Sequence, residues 1–257
     1  MTILDKILIT KKEEVALEKK AMCLSEIKDK ELFHRQCYSP RANIEKRETS
    51  LICEFKRRSP SKGNINLGAD IAEILETYQE NGAACVSVLT DTQYFGGTKE
   101  DILFARKLLS MPILRKDFIV DEYQIYQSKA LGADMILLIA SALSVQQCCD
   151  YADIAKALGL EVLLELHDET ELAHTRADVD LVGVNNRNLK TFNCSLENSL
   201  KLADFIDEKF IRVSESSIKT AEDIRILKEK NFKAFLVGET LMKSGNIAKE
   251  MKTLMEA

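Results

Sequence analysis

Short apolar runs alternate along this chain with longer segments that carry apolar residues at helical spacing. The short runs, rich in leucine and β-branched residues, are SLICEF, ACVSVL, MPIL, MILLI, EVLLEL, LVGV, IRVS and AFLVG. Runs of this length separated by helical patterns predict parallel strands joined by crossover helices. Joints such as ENGAACVSV and ALGADMILL repeat a glycine, the residue favoured in a left-handed helix cap.

Eight strand–helix units on a chain of 257 residues predict an α/β protein with a closed (β/α)8 TIM barrel. An open doubly wound sheet is the main alternative, but no GxGxxG or Walker loop supports its nucleotide-binding form. Residues 1 to about 48 precede the first strand and predict an N-terminal helical extension. Its residues Ile3, Leu4, Ile7 and Leu8 are spaced as one helix face that packs on the barrel. Since no segment has linker composition, we expect one domain over residues 1–257.

Composition narrows the class of protein. With 46% hydrophobic and 30% charged residues the chain resembles a soluble globule, and its net charge of −5 argues against a nucleic-acid partner while leaving room for a local basic pocket. Seven cysteines cannot all pair, and several lie in apolar runs, which favours a reducing compartment. The N-terminus lacks the apolar run of a signal peptide, and MILLIASAL is too short to span a bilayer. We therefore expect a cytoplasmic protein without a membrane partner.

Charged residues interrupt the predicted strands at their carboxyl ends, where barrel active sites lie. Glu54 and Lys56 are two residues apart and so share a face of the extended chain. The ends of the third, fifth, sixth and seventh strands carry Lys116, Glu165, Asn185, Arg187, Glu215 and Ser216. One such charge is usually a solvated loop residue, but charges converging from five strand ends are costly to desolvate unless they are paired or used. The set predicts an acid–base site for an anionic substrate.

Other polar residues favour simpler interpretations. The histidines have no partners at metal-ligand spacing, and adjacent Cys148 and Cys149 do not form a CxxC motif, so no metal site is predicted. His167 shares a face with Glu165, but it lies one position beyond the strand and is expected to be a loop residue.

The last two strand–helix units predict a phosphate site. VSESSI and FLVGETLM each leave a strand through small residues and enter a helix. Backbone N–H groups at helix starts bind phosphate, and barrels often place such a site after strands seven and eight. Together with the charged strand ends, this indicates a small phosphorylated substrate.

Seven segments of the chain resemble the indole-3-glycerol-phosphate synthases, in the same order and at the same strand positions. They are EFKRRSPSKG, VLTDTQYFGG, ILRKDFIVDEYQIYQSKALGADMILLIA, LLELHD, VGVNNRNLKTF, VSESSI and FLVGETLM, within residues 50 to 245. The resemblance implies a carboxy-lyase of tryptophan biosynthesis that uses no metal or organic cofactor. It implies 1-(2-carboxyphenylamino)-1-deoxyribulose 5-phosphate as substrate, and indole-3-glycerol phosphate, carbon dioxide and water as products.

The resemblance also implies roles for single residues. Lys116 takes the position of the general acid that protonates the ribulose carbonyl oxygen, and Glu165 that of the second acid–base residue, which acts on the departing hydroxyl. Lys56 either pairs with the substrate carboxylate or phosphate or donates a proton during dehydration. The remaining positions on the catalytic side are Glu54, Asn185, Glu215 and Ser216.

Substrate-binding positions follow from the same resemblance. They include Ser59 and Arg187, which would balance charge at the strand ends, and an apolar slot for the aromatic ring that comprises Phe95, Phe118, Leu137 and Leu189. Phosphate contacts are expected from Lys56, Ser217, Gly238 and Glu239. Ser217 departs from the family pattern, which has glycine after VSES. Either Ser217 adopts a strained left-handed conformation, or an ordinary φ serves there and glycine is not required.

Three competing functions have distinct signatures. A related phosphate-binding isomerase of amino-acid biosynthesis would carry an aspartate or cysteine at the strand ends, where this chain has glutamates and lysines. A Schiff-base aldolase would use Lys116 or Lys56 as nucleophile, and a barrel that only binds sugar phosphates would show no turnover. The sequence leaves contacts with other enzymes of the pathway open.

Overall fold

The computed structural model describes residues 1–187 and 195–257. Eight parallel strands close into a barrel with the neighbour order β1-β10-β9-β8-β7-β6-β5-β4, which confirms the predicted TIM barrel. The barrel strands are β1 (Ser50–Phe55), β4 (Cys85–Leu89), β5 (Ile113–Lys116), β6 (Met135–Ile139), β7 (Glu161–Leu166), β8 (Leu181–Asn185), β9 (Ile211–Glu215) and β10 (Phe232–Val237). A small antiparallel hairpin, β2 (Arg58–Ser59) with β3 (Gly63–Asn64), follows β1.

Helices precede the first strand and alternate with the others. The extension before β1 holds α1 (Ile3–Ala21), α2 (Leu24–Lys28), a 3-10 turn (Glu31–His34) and α3 (Pro40–Glu45). The later helices are α4 (Ile71–Glu80), α5 (Thr92–Phe95), α6 (Lys99–Leu108), α7 (Tyr123–Ala130), α8 (Val145–Ala157), α9 (Glu197–Leu202), α10 (Ala221–Lys228), α11 (Glu239–Lys243) and α12 (Ile247–Met255). Further 3-10 segments span Ala140–Ala142, Glu169–Arg176 and Ala203–Phe205.

Alternation along each strand separates two apolar layers. Leu164 in β7 faces the shell between barrel and helices, whereas Leu163 faces the barrel interior. Glu165 lies two residues after Leu163 in the same strand and therefore also faces the barrel interior. The ladders align Glu165 with Gly183 and Asn185 with Glu215, so the inward polar residues form a layer at the carboxyl ends of the strands. The apolar interior thus ends at a polar layer at one end of the barrel.

The third barrel strand lies two residues later than the predicted run MPIL. β5 begins at Ile113 and continues through Arg115 and Lys116. The Arg115 guanidinium donates to Thr90 and Asp117, so this charge within the strand is paired in the layer between the barrel and the helices. An extended segment therefore continues to Lys116 and places its side chain over the barrel interior.

Helix α1 begins with a reciprocal cap between Thr2 and Asp5. Its buried residues are Ile7, Lys11 and Val15, spaced four apart on one face. Within the described residues, no helix has the length and apolar content that crossing a bilayer requires. The cysteines of residues 1–187 are all free thiols.

Candidate active site

A cavity of about 390 Å³ opens at the carboxyl ends of the barrel strands. It brings together nearly all of the residues predicted from sequence. Those lining it are Glu54, Lys56, Ser59, Phe95, Lys116, Phe118, Leu137, Glu165, Asn185, Arg187, Glu215, Ser216, Ser217, Gly238 and Glu239. Leu189, the remaining predicted position, lies outside the described residues.

Lys116 lies at the centre of the charged floor of this cavity. Its Nζ is 3.2 Å from Oε2 of Glu165 and 3.7 Å from Oε2 of Glu215. Burial disfavours the ammonium, but the nearby carboxylates Glu165, Glu215 and Glu54 outweigh it and raise the pKa of Lys116. Lys116 is therefore a fixed ammonium, able to donate a proton to an oxygen that gains negative charge.

Glu165 and Glu215 are two buried carboxylates that contact the same ammonium, Lys116, so ionisation of one disfavours ionisation of the other. Burial alone would raise the pKa of Glu165, but the charges of Lys116 and His167 and a hydrogen bond with Asn185 lower it to about 2. Burial and the charge of Glu165 raise the pKa of Glu215 well above its ordinary value. Within this pair, Glu215 therefore holds a proton more tightly than Glu165 does.

Lys56 and Glu54 lie beside this pair and form an ion pair with each other. The Glu54 carboxylate also packs on Gly238 at the start of α11. A Cβ at position 238 would collide with that carboxylate, so glycine is needed there for space rather than for its φ of −120°. The end of β1 and the residue that follows β10 are thereby in close contact at the cavity.

One side of the cavity is apolar. The ring centroids of Phe95 and Phe118 are 5.9 Å apart, and Leu137 rises from β6 beside them. Helix α1 adds Ile3, Leu4 and Ile7 to the cavity lining. The helical spacing of these three predicted packing on the barrel, but not that they would line the cavity.

The turn after β9 is strained at two successive serines. Ser216 has φ 65° and Ser217 has φ 66°, in the left-handed region that side chains disfavour. The first of the two alternatives for Ser217 is therefore correct. Thr240 Oγ1 donates to the Ile218 carbonyl at 2.6 Å, which joins this turn to the start of α11. Small residues from both segments line the same end of the cavity.

Glu239 is surrounded by cations at that end. Its carboxylate lies 2.7 Å from Nζ of Lys243, 3.7 Å from Nζ of Lys62 and 3.8 Å from a guanidinium nitrogen of Arg187. Although burial acts in the opposite direction, these cations lower the pKa of Glu239. A carboxylate repels phosphate, so Glu239 can assist an anion only through its backbone N–H. Sequence reasoning missed Lys62 and Lys243, which the SPSKG segment and the spacing of four from Glu239 could have indicated.

His167 is more than the loop residue expected from sequence. It directly follows β7, but its side chain is only 11% exposed because it packs between two carboxylates. Nε2 lies 3.3 Å from Oε1 of Glu165, and Nδ1 lies 3.7 Å from Oε2 of Glu171. Burial opposes the charged imidazole, yet contacts with Glu171 and Glu165 raise the pKa of His167. Its position two residues after Glu165 was the signal in the sequence.

A closed parallel barrel whose strand ends bring lysines and carboxylates into one cavity defines a (β/α)8-barrel enzyme. The fold is similar to that of 3-hexulose-6-phosphate synthase from Salmonella typhimurium, with a TM-score of 0.66 at 12% identity over 81% of this chain and 97% of that one. Within the described residues, no three His, Cys, Asp or Glu side chains are placed to hold a metal ion.

The indole-3-glycerol phosphate synthase family model matches residues 4–254. The chain is 42% identical over 255 residues to indole-3-glycerol phosphate synthase of Bacteroides thetaiotaomicron, covering 99% of this chain and 98% of the relative. It is 44% identical over 257 residues to that of Neisseria meningitidis serogroup B, covering 98% of each. The chain therefore belongs to the indole-3-glycerol phosphate synthase family, and the family predicted from the sequence motifs is confirmed.

Proposed function

We propose that this protein converts 1-(2-carboxyphenylamino)-1-deoxyribulose 5-phosphate into indole-3-glycerol phosphate, carbon dioxide and water in tryptophan biosynthesis. The observation that carries the proposal is the division of the cavity into an apolar side, a charged floor and a cationic end. The substrate has the matching parts: an aryl ring, a reacting carbonyl with hydroxyls, and a phosphate. Membership of the family supports the same reaction.

Lys116 supplies the proton for ring closure. The ring carbon that bears the carboxylate attacks the ribulose C2 carbonyl, whose oxygen becomes negative as the new bond forms. The buried ammonium, held 3.2 Å from Glu165, protonates that oxygen and is left as a neutral amine. Carbon dioxide then leaves, and the electrons of the broken bond restore the aromatic ring.

Dehydration needs an acid for the departing hydroxyl and a base for a proton on C1. Glu165 delivers the proton to the hydroxyl after drawing it from Glu215, and the Lys116 amine takes the C1 proton and regains its charge. The carboxyl pair then recovers one proton from solvent, because a carboxylate has left as neutral carbon dioxide. Two carboxyls with pKa values pushed apart are suited to such divided roles.

The other residues bind and orient the substrate. Lys56 and Arg187 pair with its carboxylate, while Glu54, Ser59, Asn185 and Ser216 contact hydroxyls. Phe95, Phe118 and Leu137 hold the ring. The phosphate meets backbone N–H groups of Ser217, Gly238 and Glu239. We place the reaction in the cytoplasm, where free thiols persist.

A Schiff-base function is disfavoured by charge. An amine nucleophile must be deprotonated, whereas the carboxylates around Lys116 raise its pKa. Borohydride in the presence of substrate should therefore trap no covalent adduct on the enzyme, and a mass shift on Lys116 would contradict the proposed mechanism.

The direct test is turnover, followed by the ultraviolet absorbance of the indole product. Glu165→Gln should separate the steps: in a single turnover, carbon dioxide is released well before indole forms, because the variant closes the ring but cannot transfer the hydroxyl proton. We expect indole formation to slow by about 10²–10⁴-fold. Simultaneous release of both products at the wild-type rate would contradict the role of Glu165.

A further inference from the structure

Lys11 is a buried ammonium in the N-terminal extension, outside the group of residues to which the reaction assigns a role. Its side chain is 1% exposed, on the face of α1 that also buries Ile7 and Val15. Nζ lies 3.0 Å from Oδ1 of Asp117 and 3.3 Å from Oδ2 of Asp91. Isolated buried charges are costly, so an ammonium in this position indicates a specific arrangement of partners.

The two aspartates hold the backbone of the two aromatic residues that line the cavity. Asp91 caps α5, and its Oδ1 accepts the N–H groups of Tyr94 at 2.8 Å and Phe95 at 3.3 Å. Asp117 Oδ1, the atom that Lys11 contacts, accepts the N–H of Phe118 at 2.8 Å. One ammonium therefore joins the carboxylates that orient both aromatic residues.

The partners differ in how much they depend on Lys11. Asp117 has a second cation, since its Oδ2 lies 2.9 Å from a nitrogen of Arg115. For Asp91, Lys11 is the only ion-pair partner among the described residues. Loss of the ammonium should therefore disturb the Asp91 cap and Phe95 most, and leave the Asp117 side largely held by Arg115.

We infer that Lys11 is a positioning residue for the aromatic side of the cavity. It fixes the spacing of Phe95 and Phe118, and it seats α1, whose residues Ile3, Leu4 and Ile7 line the same cavity. The inference rests on the proposed function only in that the aromatic side of the cavity holds the aryl ring. The inference concerns Phe95 and Phe118 and predicts no change at the phosphate end of the cavity.

The electrostatic surroundings keep Lys11 charged. Burial disfavours the ammonium, but Asp117, Asp91 and Glu14 outweigh it and raise the pKa of Lys11. The Lys11 ammonium therefore stays paired with both aspartates across the neutral pH range.

The test uses full-length protein and two probes that occupy opposite ends of the cavity, 2-aminobenzoate for the aryl side and inorganic phosphate for the other. Lys11→Met keeps the length of the side chain and removes the charge. We expect its dissociation constant for 2-aminobenzoate to rise about tenfold and that for phosphate to stay within about twofold. With substrate, KM should rise more than kcat falls.

Two further variants protect the test against a folding defect. Asp91→Asn retains a capping side chain and leaves Lys11 paired with Asp117, so the fold is preserved while the tie to α5 is lost. It should weaken 2-aminobenzoate binding selectively, as Lys11→Met does. Lys12→Met, at an exposed position on the same helix, should bind both probes as the wild type does.

The outcomes separate this inference from the function on which it rests. Wild-type affinity for 2-aminobenzoate in folded Lys11→Met and Asp91→Asn would overturn the positioning role alone. Equal weakening of both probes in these variants would also overturn it, since that pattern indicates a general structural role. A wild type that converts the substrate but does not bind 2-aminobenzoate would overturn the inference alone, whereas absence of turnover would overturn the proposed function.

Discussion

The charged floor and the cationic end of the cavity differ in how deeply their ion pairs are buried and in which elements carry them. On the floor, Glu165 is 4% exposed and Lys116 lies 3.2 Å from it, both on strands of the barrel. At the other end, Glu239 is 29% exposed. Lys243 of the same helix lies 2.7 Å from it, whereas Lys62 and Arg187 lie 3.7 and 3.8 Å away. Buried pairs are little screened by solvent, whereas half-exposed pairs are.

This difference indicates that the two regions serve different functions, proton transfer on the floor and anion binding at the cationic end. The proposed reaction needs fixed proton positions on the floor, and buried barrel strands provide them together with strongly shifted pKa values. It needs the cationic end only to attract and release an anion, for which more exposed charges suffice. Variants of the two regions should therefore differ in both the size and the kind of their effects.

The largest effect is expected on the floor. Lys116→Met should lower kcat by about 10²–10⁴-fold, because ring closure loses its proton donor while the apolar side chain still fills the space. Single-turnover kinetics measure the effect, and circular dichroism verifies the fold. Lys107→Met, at an exposed position in α6, is the matched control and should behave as wild type. A variant at position 116 with more than half of the wild-type kcat would refute the assignment.

The strained turn should respond next. Ser217→Gly relieves a left-handed φ worth about 1–2 kcal/mol, partly offset by about 0.5–1 kcal/mol of added chain entropy in the unfolded state. We expect the free energy of unfolding to increase by about 0.5–1 kcal/mol, with KM within about threefold of wild type. Urea denaturation measures the first quantity.

Ser217→Ala is the comparison variant for that turn. It keeps the strain and removes a hydroxyl that, among the described residues, is buried without a hydrogen-bond partner. Its stability should therefore stay near that of wild type. Should the glycine variant be less stable than the alanine variant, the left-handed strain at position 217 does not exist in solution.

A gain in affinity for anions is expected from Glu239→Gln. Removing this carboxylate frees Lys62, Arg187 and Lys243 for an anion, and exposed ion pairs are each worth about 0.2–1 kcal/mol. Inorganic phosphate should bind about three- to tenfold more tightly, as measured by calorimetry, and the gain should shrink at high salt. Glu222→Gln, an exposed site on α10, is the control. Weaker phosphate binding in the Glu239 variant would show that the carboxylate organises the cations rather than competing with the anion.

The smallest effect should appear in the pH dependence of stability. The folded pKa of His167 lies above its ordinary value of 6.5, so its contribution is complete below pH 6.5 and is lost as pH rises through the folded pKa. His167→Gln should therefore cost the most stability at acidic pH and little in alkaline buffer. Urea titrations in an acidic buffer at about pH 5.5 and in a series of increasingly alkaline buffers make the comparison. A stability loss that grows with pH would contradict a charged imidazole between Glu165 and Glu171.

Local periodicity in the sequence determined the barrel and the charged strand ends, whereas the apolar residues of the cavity were predicted from the resemblance to a family. Alternation along EVLLEL places Glu165 on the inner face, and its position near the strand end places it in the cavity. The same reasoning located Lys116 and Glu215. Once the strands were recognised, closure of the barrel brought these ends together without further information.

Tertiary structure alone decided which charged residues pair and which carboxylate holds a proton more tightly. Lys11 is about 80 and 106 positions from Asp91 and Asp117, so no local pattern relates them. The opposite pKa shifts of Glu165 and Glu215 depend on the distances of Lys116 and His167 from each carboxylate. The strain at Ser217 and the cations around Glu239 are likewise properties of packing. Electrostatic energy falls with distance through space, and only the folded chain sets those distances.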